Sequence, residues 1–177
     1  MPKRPKPAPA FTLRPGESIS FVLPVTPRTK KNSREHVTKR AKTGNMITVP
    51  LPSKVYRKMA DEIRIWALTS SVLDPLRKAG PWGYATLLLT QPLNCAAIFH
   101  RDALRGDAVG YYQGLADALE AAGIVADDKW ITQWDGSRLR KDATMSRIEV
   151  TLRALTQDEL DREPDHSVVS VCPECGH

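Results

Sequence analysis

The sequence predicts an α/β (α+β) fold, a mixed β-sheet covered by two main helices. Two segments alternate between apolar and polar residues, as half-buried strands do, at residues 18–25 and 147–153. Two further segments, 53–70 and 107–121, repeat apolar residues at helical spacing. The predicted order is strand, long basic loop, helix, strand, helix, strand, strand, and a two-layer domain is the economical architecture for it.

Length and charge indicate one domain with a polyanionic partner. The 177 residues suit one core plus tails, and 41% hydrophobic with 26% charged residues is typical of a globular protein. The formal charge of +6 favours nucleic acid as partner. We expect a flexible basic arm at 1–15, the domain at 16–155 and an acidic tail at 156–177. No apolar run is long enough to cross a bilayer, so we expect no membrane association and a cytoplasmic location.

The first half of the chain contains one strand, a basic segment and a helix. Ile19, Phe21 and Leu23 share one face of the first strand. Residues 28–45 are polar and basic without periodicity, which leaves a solvated loop or a phosphate-binding element. Ser53 is the expected N-cap of the first helix, whose core positions are Val55, Met59, Ile63 and Trp66.

Strands are also predicted in the second half. Residues 84–90 form a buried apolar segment, which Pro92 interrupts, and 95–99 is expected to resume it as an edge or bulged strand. Residues 130–134 follow as a short strand, with a turn at Asp135-Gly136. Ile148, Val150 and Leu152 alternate in the last strand.

The central helix separates two kinds of residue. We expect a core face made of Val109, Tyr112, Leu115, Ala116 and Leu119. The opposite side carries Asp107, Gly110, Gly114 and Asp117. Glycine within a helix is unfavourable by roughly 0.5–1 kcal/mol relative to alanine, so two on one side suggest a close approach. Gly123 is expected to end the helix.

Carboxylates flank this helix. Asp107 lies at its start and Asp127-Asp128 after its end, and together they could converge on Mg²⁺ or Mn²⁺, which prefer oxygen ligands. Alternatively, Asp107 is an N-cap and the pair are turn residues. Basic residues that could hold phosphates are Lys30, Lys31, Arg34, Arg101, Arg105, Arg138, Arg140 and Lys141.

A separate motif lies at the C-terminus. Cys172, Cys175 and His177 match half of the ligand pattern of a structural Zn²⁺ site. A fourth ligand would come from His166, water or a partner chain. The alternative is an unstructured tail with reduced thiols. Three cysteines do not suggest a disulfide framework.

The central stretch resembles the RusA family of Holliday junction resolvases of bacteria and their phages. The resemblance rests on Asp107, Asp117-Ala-Leu119, Gly123 and Asp127-Asp128, and on Pro27-Arg-Thr-Lys-Lys-Asn-Ser33 after the first strand. It implies a homodimeric, Mg²⁺-dependent endonuclease that nicks branched, four-way DNA in recombination and repair. By position, it implies that Asp107 and Asp128 are catalytic metal ligands and that Asp127 is their acidic neighbour.

Two positions depart from the family pattern. Val109 stands where the resemblance implies a second catalytic aspartate, and Gln113 stands where it implies a lysine. Valine has no group that binds a metal, and glutamine has no charge for a phosphate. The departures favour an alternative hypothesis, a protein that binds DNA junctions through the same fold without cutting them.

Overall fold

The computed structural model describes residues 12–29, 34–40, 44–76, 88–103 and 106–162. Within these ranges the fold is mixed α/β with a mixed sheet, as the sequence predicts. No helix in this part of the chain is both long and apolar enough to cross a membrane. Two 3₁₀ helices cover Ser71–Leu76 and Asp128–Trp130, and the other elements are β1 (Ser18–Leu23), β2 (Arg34–Arg40), β3 (Met46–Pro52), α1 (Lys54–Thr69), β4 (Leu93–Arg101), α2 (Ala108–Ala121), β5 (Ile131–Gln133), β6 (Arg138–Lys141), β7 (Arg147–Ala154) and α3 (Gln157–Asp161).

Strand β4 is the centre of the five-stranded sheet. On one side, β4 pairs antiparallel with β7, which in turn pairs with β1. Its other side pairs in parallel with β5 near its start and with β6 near its end. The expectation of an edge strand at 95–99 is therefore wrong, whereas the alternative of a bulge has a counterpart just before these residues, where the pairing with β5 shifts register between Leu93 and Asn94. Pro92 precedes the first residue of the strand and removes no hydrogen bond from it.

The strand predicted at 84–90 can be checked only at its end, because residues 77–87 lie outside the described ranges. Leu88 has a φ of 45°, which is outside the β region. Leu89 forms an isolated parallel bridge with Val125. Residues 88–90, the described part of this segment, therefore contain a single β-bridge.

Apolar side chains of the sheet and of both long helices form one core. Phe21 and Leu23 of β1 join Met59 and Ile63 of α1 in it, as predicted. Ser53 caps α1 by accepting a hydrogen bond from the Tyr56 amide at 3.1 Å. The other members from the sheet and α2 include Cys95, Phe99, Leu115, Leu119, Ile148, Val150 and Leu152.

One predicted core position of α1 is wrong. Val55 is 50% exposed, whereas Trp66 is partly buried with its ring centroid 5.2 Å from that of Phe21. Val55 shares the first turn of the helix with the buried Tyr56, but its own side chain lies on the solvent side of that turn.

The basic segment after β1 is partly a β-ribbon rather than an aperiodic loop. Strand β2 pairs antiparallel with β3 over seven residues, from Arg34↔Pro52 to Arg40↔Met46, in a sheet of their own. Charged residues in β2 and prolines in β3 hide the alternation by which strands are usually predicted. The turn at Asp135-Gly136, β5, β7 and the helix end at Gly123, whose φ is 71°, agree with the sequence predictions.

A short helix, α3, occupies the start of the predicted acidic tail. Thr156 and Glu159 form a capping box, and Arg153 of β7 donates two hydrogen bonds to the Glu159 carboxylate, at 2.7 and 2.8 Å. The guanidinium of Arg153, helped by the Thr156 amide, lowers the pKa of Glu159 from 4.5 to about 2. The capping sequence Thr-x-x-Glu is the signal by which α3 could have been predicted.

We expect Glu159→Gln to remove an acid-sensitive part of the stability. Because the pKa of Glu159 is lower in the folded state, its stabilising effect is complete above pH 4.5 and is lost as the pH falls toward 2. The thermal unfolding midpoints of wild type and variant should therefore differ at neutral pH and converge near pH 2. A difference that stays constant with pH would contradict this assignment. Glu62→Gln, at an exposed position of α1, controls for the loss of a surface charge.

Candidate functional site

Asp107 begins α2 at the end of the sheet where β4 ends. Its Oδ1 accepts a hydrogen bond from the Val109 amide at 3.1 Å, and its backbone carbonyl accepts one from Gly110. The N-cap alternative from the sequence is therefore present in the structure. The residue is exposed, and the cap uses one of its two carboxylate oxygens, Oδ1. Asp107 thus combines a structural role with an accessible negative charge at a helix N-terminus.

Two helix glycines allow other elements to approach α2 closely. A Cβ on Gly110 would lie 3.3 Å from the Thr29 methyl group, which is tighter than ordinary contact. The carbonyl of Gly114 accepts a hydrogen bond from the Tyr56 hydroxyl of α1 at 3.0 Å. Burial, and then the Asp117 carboxylate, raise the pKa of Tyr56, which keeps its hydroxyl a donor. The predicted close approach is confirmed, and it brings the segment that precedes Lys30 to the first turn of α2.

The predicted core face of α2 is partly wrong. Val109 is 51% exposed, and Gln113, one turn later, is exposed too. Tyr112 is only partly buried, with its ring stacked on Trp134 at 4.9 Å. Glycine lets the buried face include Gly110 and Gly114, which turns Val109 toward solvent. The two positions that depart from the family pattern therefore lie together on the exposed surface of the first turns.

A basic edge lies at the same end of the sheet. Arg138, Arg140 and Lys141 of β6 are all exposed, and Lys141 pairs in register with Arg101 of β4. The guanidinium carbon of Arg101 lies 5.3 Å from the centroid of the Tyr111 ring, which holds this side chain against α2. Arg101 and Lys141 therefore lie at the carboxyl ends of β4 and β6 on the face of the sheet that α2 covers, whereas Arg138 and Arg140 project from the opposite face.

A buried polar cluster supports this edge, and the sequence analysis does not single it out. His100 is only 1% exposed; its Nε2 lies 3.0 Å from Glu149 Oε1, and its Nδ1 lies 3.7 Å from Asp142 Oδ2. Arg147 donates hydrogen bonds to both carboxylates. The alternation of Arg147, Glu149 and Thr151 along β7 is the sequence signal for a polar face of the sheet.

The charges of the cluster are set by these contacts. Hydrogen bonds from the Thr144 hydroxyl and then from Arg147 hold the pKa of Asp142 well below its usual range. Burial alone would raise the pKa of Glu149, but Arg147 and His100 lower it overall. Both acids are therefore ionised near neutral pH, and with Arg147 they fix the turn between β6 and β7.

Asp127 and Asp128 lie at the other end of α2. Asp127 caps the 3₁₀ helix and accepts a hydrogen bond from Lys129 Nζ at 2.7 Å, which lowers its pKa. The same bond raises the pKa of Lys129, and Asp128 and Glu120 add to this effect. Since Glu120 belongs to the last turn of α2, the Asp127-Asp128 pair lies beside the C-terminal end of that helix.

The expected convergence of Asp107 with Asp127 and Asp128 therefore does not occur within one chain. At a rise of about 1.5 Å per residue, the 14 residues of α2 form a helix about 21 Å long, and these carboxylates lie at its opposite ends. In the part of the chain that the structure describes, no group of three or more His, Cys, Asp or Glu side chains is arranged to hold a metal ion.

Several predicted site residues cannot be placed. Cys172, Cys175 and His177 of the proposed zinc motif lie outside the described ranges, as do Lys30, Lys31 and Arg105. For Arg34 the structure gives the backbone position, at the start of β2.

Comparison with protein-family models and with curated proteins gives no match at a significant level.

The cap predicts how Asp107 variants unfold. Asp107→Ala removes the acceptor for the Val109 amide and should lower the free energy of unfolding by about 1 kcal/mol. Asp107→Asn keeps an acceptor and should remain within a few tenths of a kcal/mol of wild type. Denaturant titrations would measure both. Equal stability of wild type and Asp107→Ala would show that this hydrogen bond contributes nothing.

Proposed function

We propose that this protein is a metal-dependent, structure-selective endonuclease that acts on four-way DNA junctions as a homodimer, as its resemblance to the RusA family implies. One observation carries the proposal. An accessible carboxylate, Asp107, begins α2 at the end of the sheet where β6 presents Arg138, Arg140 and Lys141 to solvent.

The charges at this end suit a DNA backbone. Phosphates bind cationic side chains and helix N-termini, and release of counterions makes such binding depend steeply on salt. A carboxylate among them repels a phosphate unless a cation lies between the two. Mg²⁺ commonly uses one or two carboxylates together with substrate phosphates, which fits this combination of groups.

The residues of one chain supply only part of a metal site. Asp107 is the principal ligand, and Asp102 follows the last residue of β4 at the same end of the sheet. A bound Mg²⁺ or Mn²⁺ would stabilise charge on the phosphodiester and lower the pKa of a coordinated water. Because α2 separates Asp128 from Asp107, both can hold one ion only if Asp128 comes from a second subunit. The proposed dimer supplies that subunit.

A labelled four-way junction tests the activity directly. With Mg²⁺ or Mn²⁺ we expect paired nicks near the branch point, and at least a hundredfold slower cleavage by Asp107→Asn, which keeps the helix cap. A junction left intact by wild type in both metals would contradict the proposal. Nicking at the wild-type rate by Asp107→Asn would remove Asp107 from the site.

Mixed dimers test whether two subunits share the site. Asp107→Asn and Asp128→Asn should each be inactive alone, whereas a mixture of the two should recover part of the activity, because some dimers then keep one intact Asp107–Asp128 pair. A mixture as inactive as its components would show that no site combines these residues across subunits.

A second function, junction binding without cleavage, is favoured by one specific observation. Val109 and Gln113 are exposed on the first turns of α2, where the resemblance implies an aspartate and a lysine. Neither side chain ligates a metal, and neither carries charge. Binding to junctions without nicking would identify this function.

Val109→Asp distinguishes the two functions. Because Val109 is exposed near the N-terminus of α2, an aspartate there needs no repacking and complements the helix dipole. If the protein only binds junctions, the variant should gain Mg²⁺-dependent nicking; if wild type already cleaves, the rate should rise at least tenfold. Ile65→Asp, at a similarly exposed position of α1, is the matched control. No change in nicking by Val109→Asp would exclude this position from the site.

A further inference from the structure

The ribbon formed by β2 and β3 presents four described side chains on one face. Cross-strand partners share a face, so Thr38 and Thr48 lie beside Arg40 and Met46. All four are exposed, and the Thr38 and Thr48 hydroxyls approach to 3.4 Å. Among the residues that the structure describes, the principal contact of each ribbon strand is the other strand, and no further element makes an appreciable interface with either.

The free end of the ribbon combines an apolar side chain with a cation. Met46 is 66% exposed, more than any other large apolar residue in the described ranges. Its partner Arg40 donates a hydrogen bond from Nε to the carbonyl of Gly44 at 3.1 Å. Gly44 has a φ of 88°, in the left-handed region that favours glycine.

The charge of the ribbon identifies the class of partner. Strand β2 contains Arg34, Lys39 and Arg40 against one acid, Glu35, while β3 contains no charged residue. Binding of an apolar tip in the groove of another protein does not require an excess of cations. A polyanionic partner such as DNA, in contrast, is attracted by it. A two-stranded ribbon is also narrow enough to enter a DNA groove.

We propose that Met46 is a wedge that enters the base stack at the branch point of a DNA junction, while Arg40, Thr38 and Thr48 contact the neighbouring phosphates. The inference rests on the proposed function for its substrate and adds the element that selects the branch. Proteins insert methionine and other apolar side chains between base steps, and unstacking is least costly where pairing is already interrupted. A methionine also adapts its shape to an irregular opening.

Fluorescence of 2-aminopurine tests the wedge. The base is placed at the branch point of a four-way junction and, separately, within a matched linear duplex. Wild type should raise the fluorescence at the branch point, and Met46→Ser should abolish the rise and weaken junction binding about tenfold. Duplex affinity should change less than twofold, since phosphate contacts provide it.

Two control variants and a check of the fold accompany this experiment. Met46→Leu keeps an apolar wedge and should keep the fluorescence rise, while Ile65→Ser removes a similarly exposed apolar side chain from α1 and should have no effect. Thermal unfolding of each variant verifies the fold. The wedge would be overturned if Met46→Ser still raised the 2-aminopurine fluorescence and bound junctions as tightly as wild type. It would also be overturned if Met46→Ser lowered the affinities for junction and for duplex equally. In both cases the proposed function would still be supported if wild type nicked junctions. Wild type that neither prefers junctions nor nicks them would overturn the function and the wedge together.

Discussion

Helix α2 packs closely against its neighbours through two buried glycines. Gly110 leaves room for Thr29, and the carbonyl of Gly114 accepts a hydrogen bond from the buried Tyr56 hydroxyl. These contacts fix the rotation of α2 about its axis. Once the glycine face is buried, Val109 must face solvent, and Asp107 begins the helix beside the ends of β4 and β6. The chemistry available at this surface therefore depends on the close packing of α2.

The two ends of α2 differ in how their acids are used. At the C-terminal end, Asp127 is tied to Lys129 by a hydrogen bond and caps a 3₁₀ helix. At the N-terminal end, the cap uses one oxygen of Asp107, and the surrounding charges on β4 and β6 are positive. The buried contacts of His100 with Asp142 and Glu149 hold the adjoining turn in place, so the basic edge has a fixed position relative to α2. A dimer is the arrangement that would combine the acids of both ends.

Sequence reasoning succeeds where local chemistry decides the structure. Ser53 and Gly123 define helix ends through a hydroxyl acceptor and a positive φ, and both could be predicted. It fails where distant parts of the chain decide. Glycine gives no hydrophobic signal although Gly110 and Gly114 are buried, so a helical wheel assigns Val109 to the core. The central place of β4 and the β2–β3 ribbon arise from pairing between strands, and the distance between Asp107 and Asp128 depends on the direction of a helix between them.

Paramagnetic broadening by Mn²⁺ tests most directly whether the N-terminal end of α2 is the metal site. Mn²⁺ added to the ¹⁵N-labelled protein should broaden the amide signals of residues 106–110 first. In the proposed dimer, those of residues 127–129 should broaden at the same Mn²⁺ concentration, and dilution to the monomer should remove this second effect alone. Broadening confined to other parts of the chain, with residues 106–110 unaffected, would contradict the account.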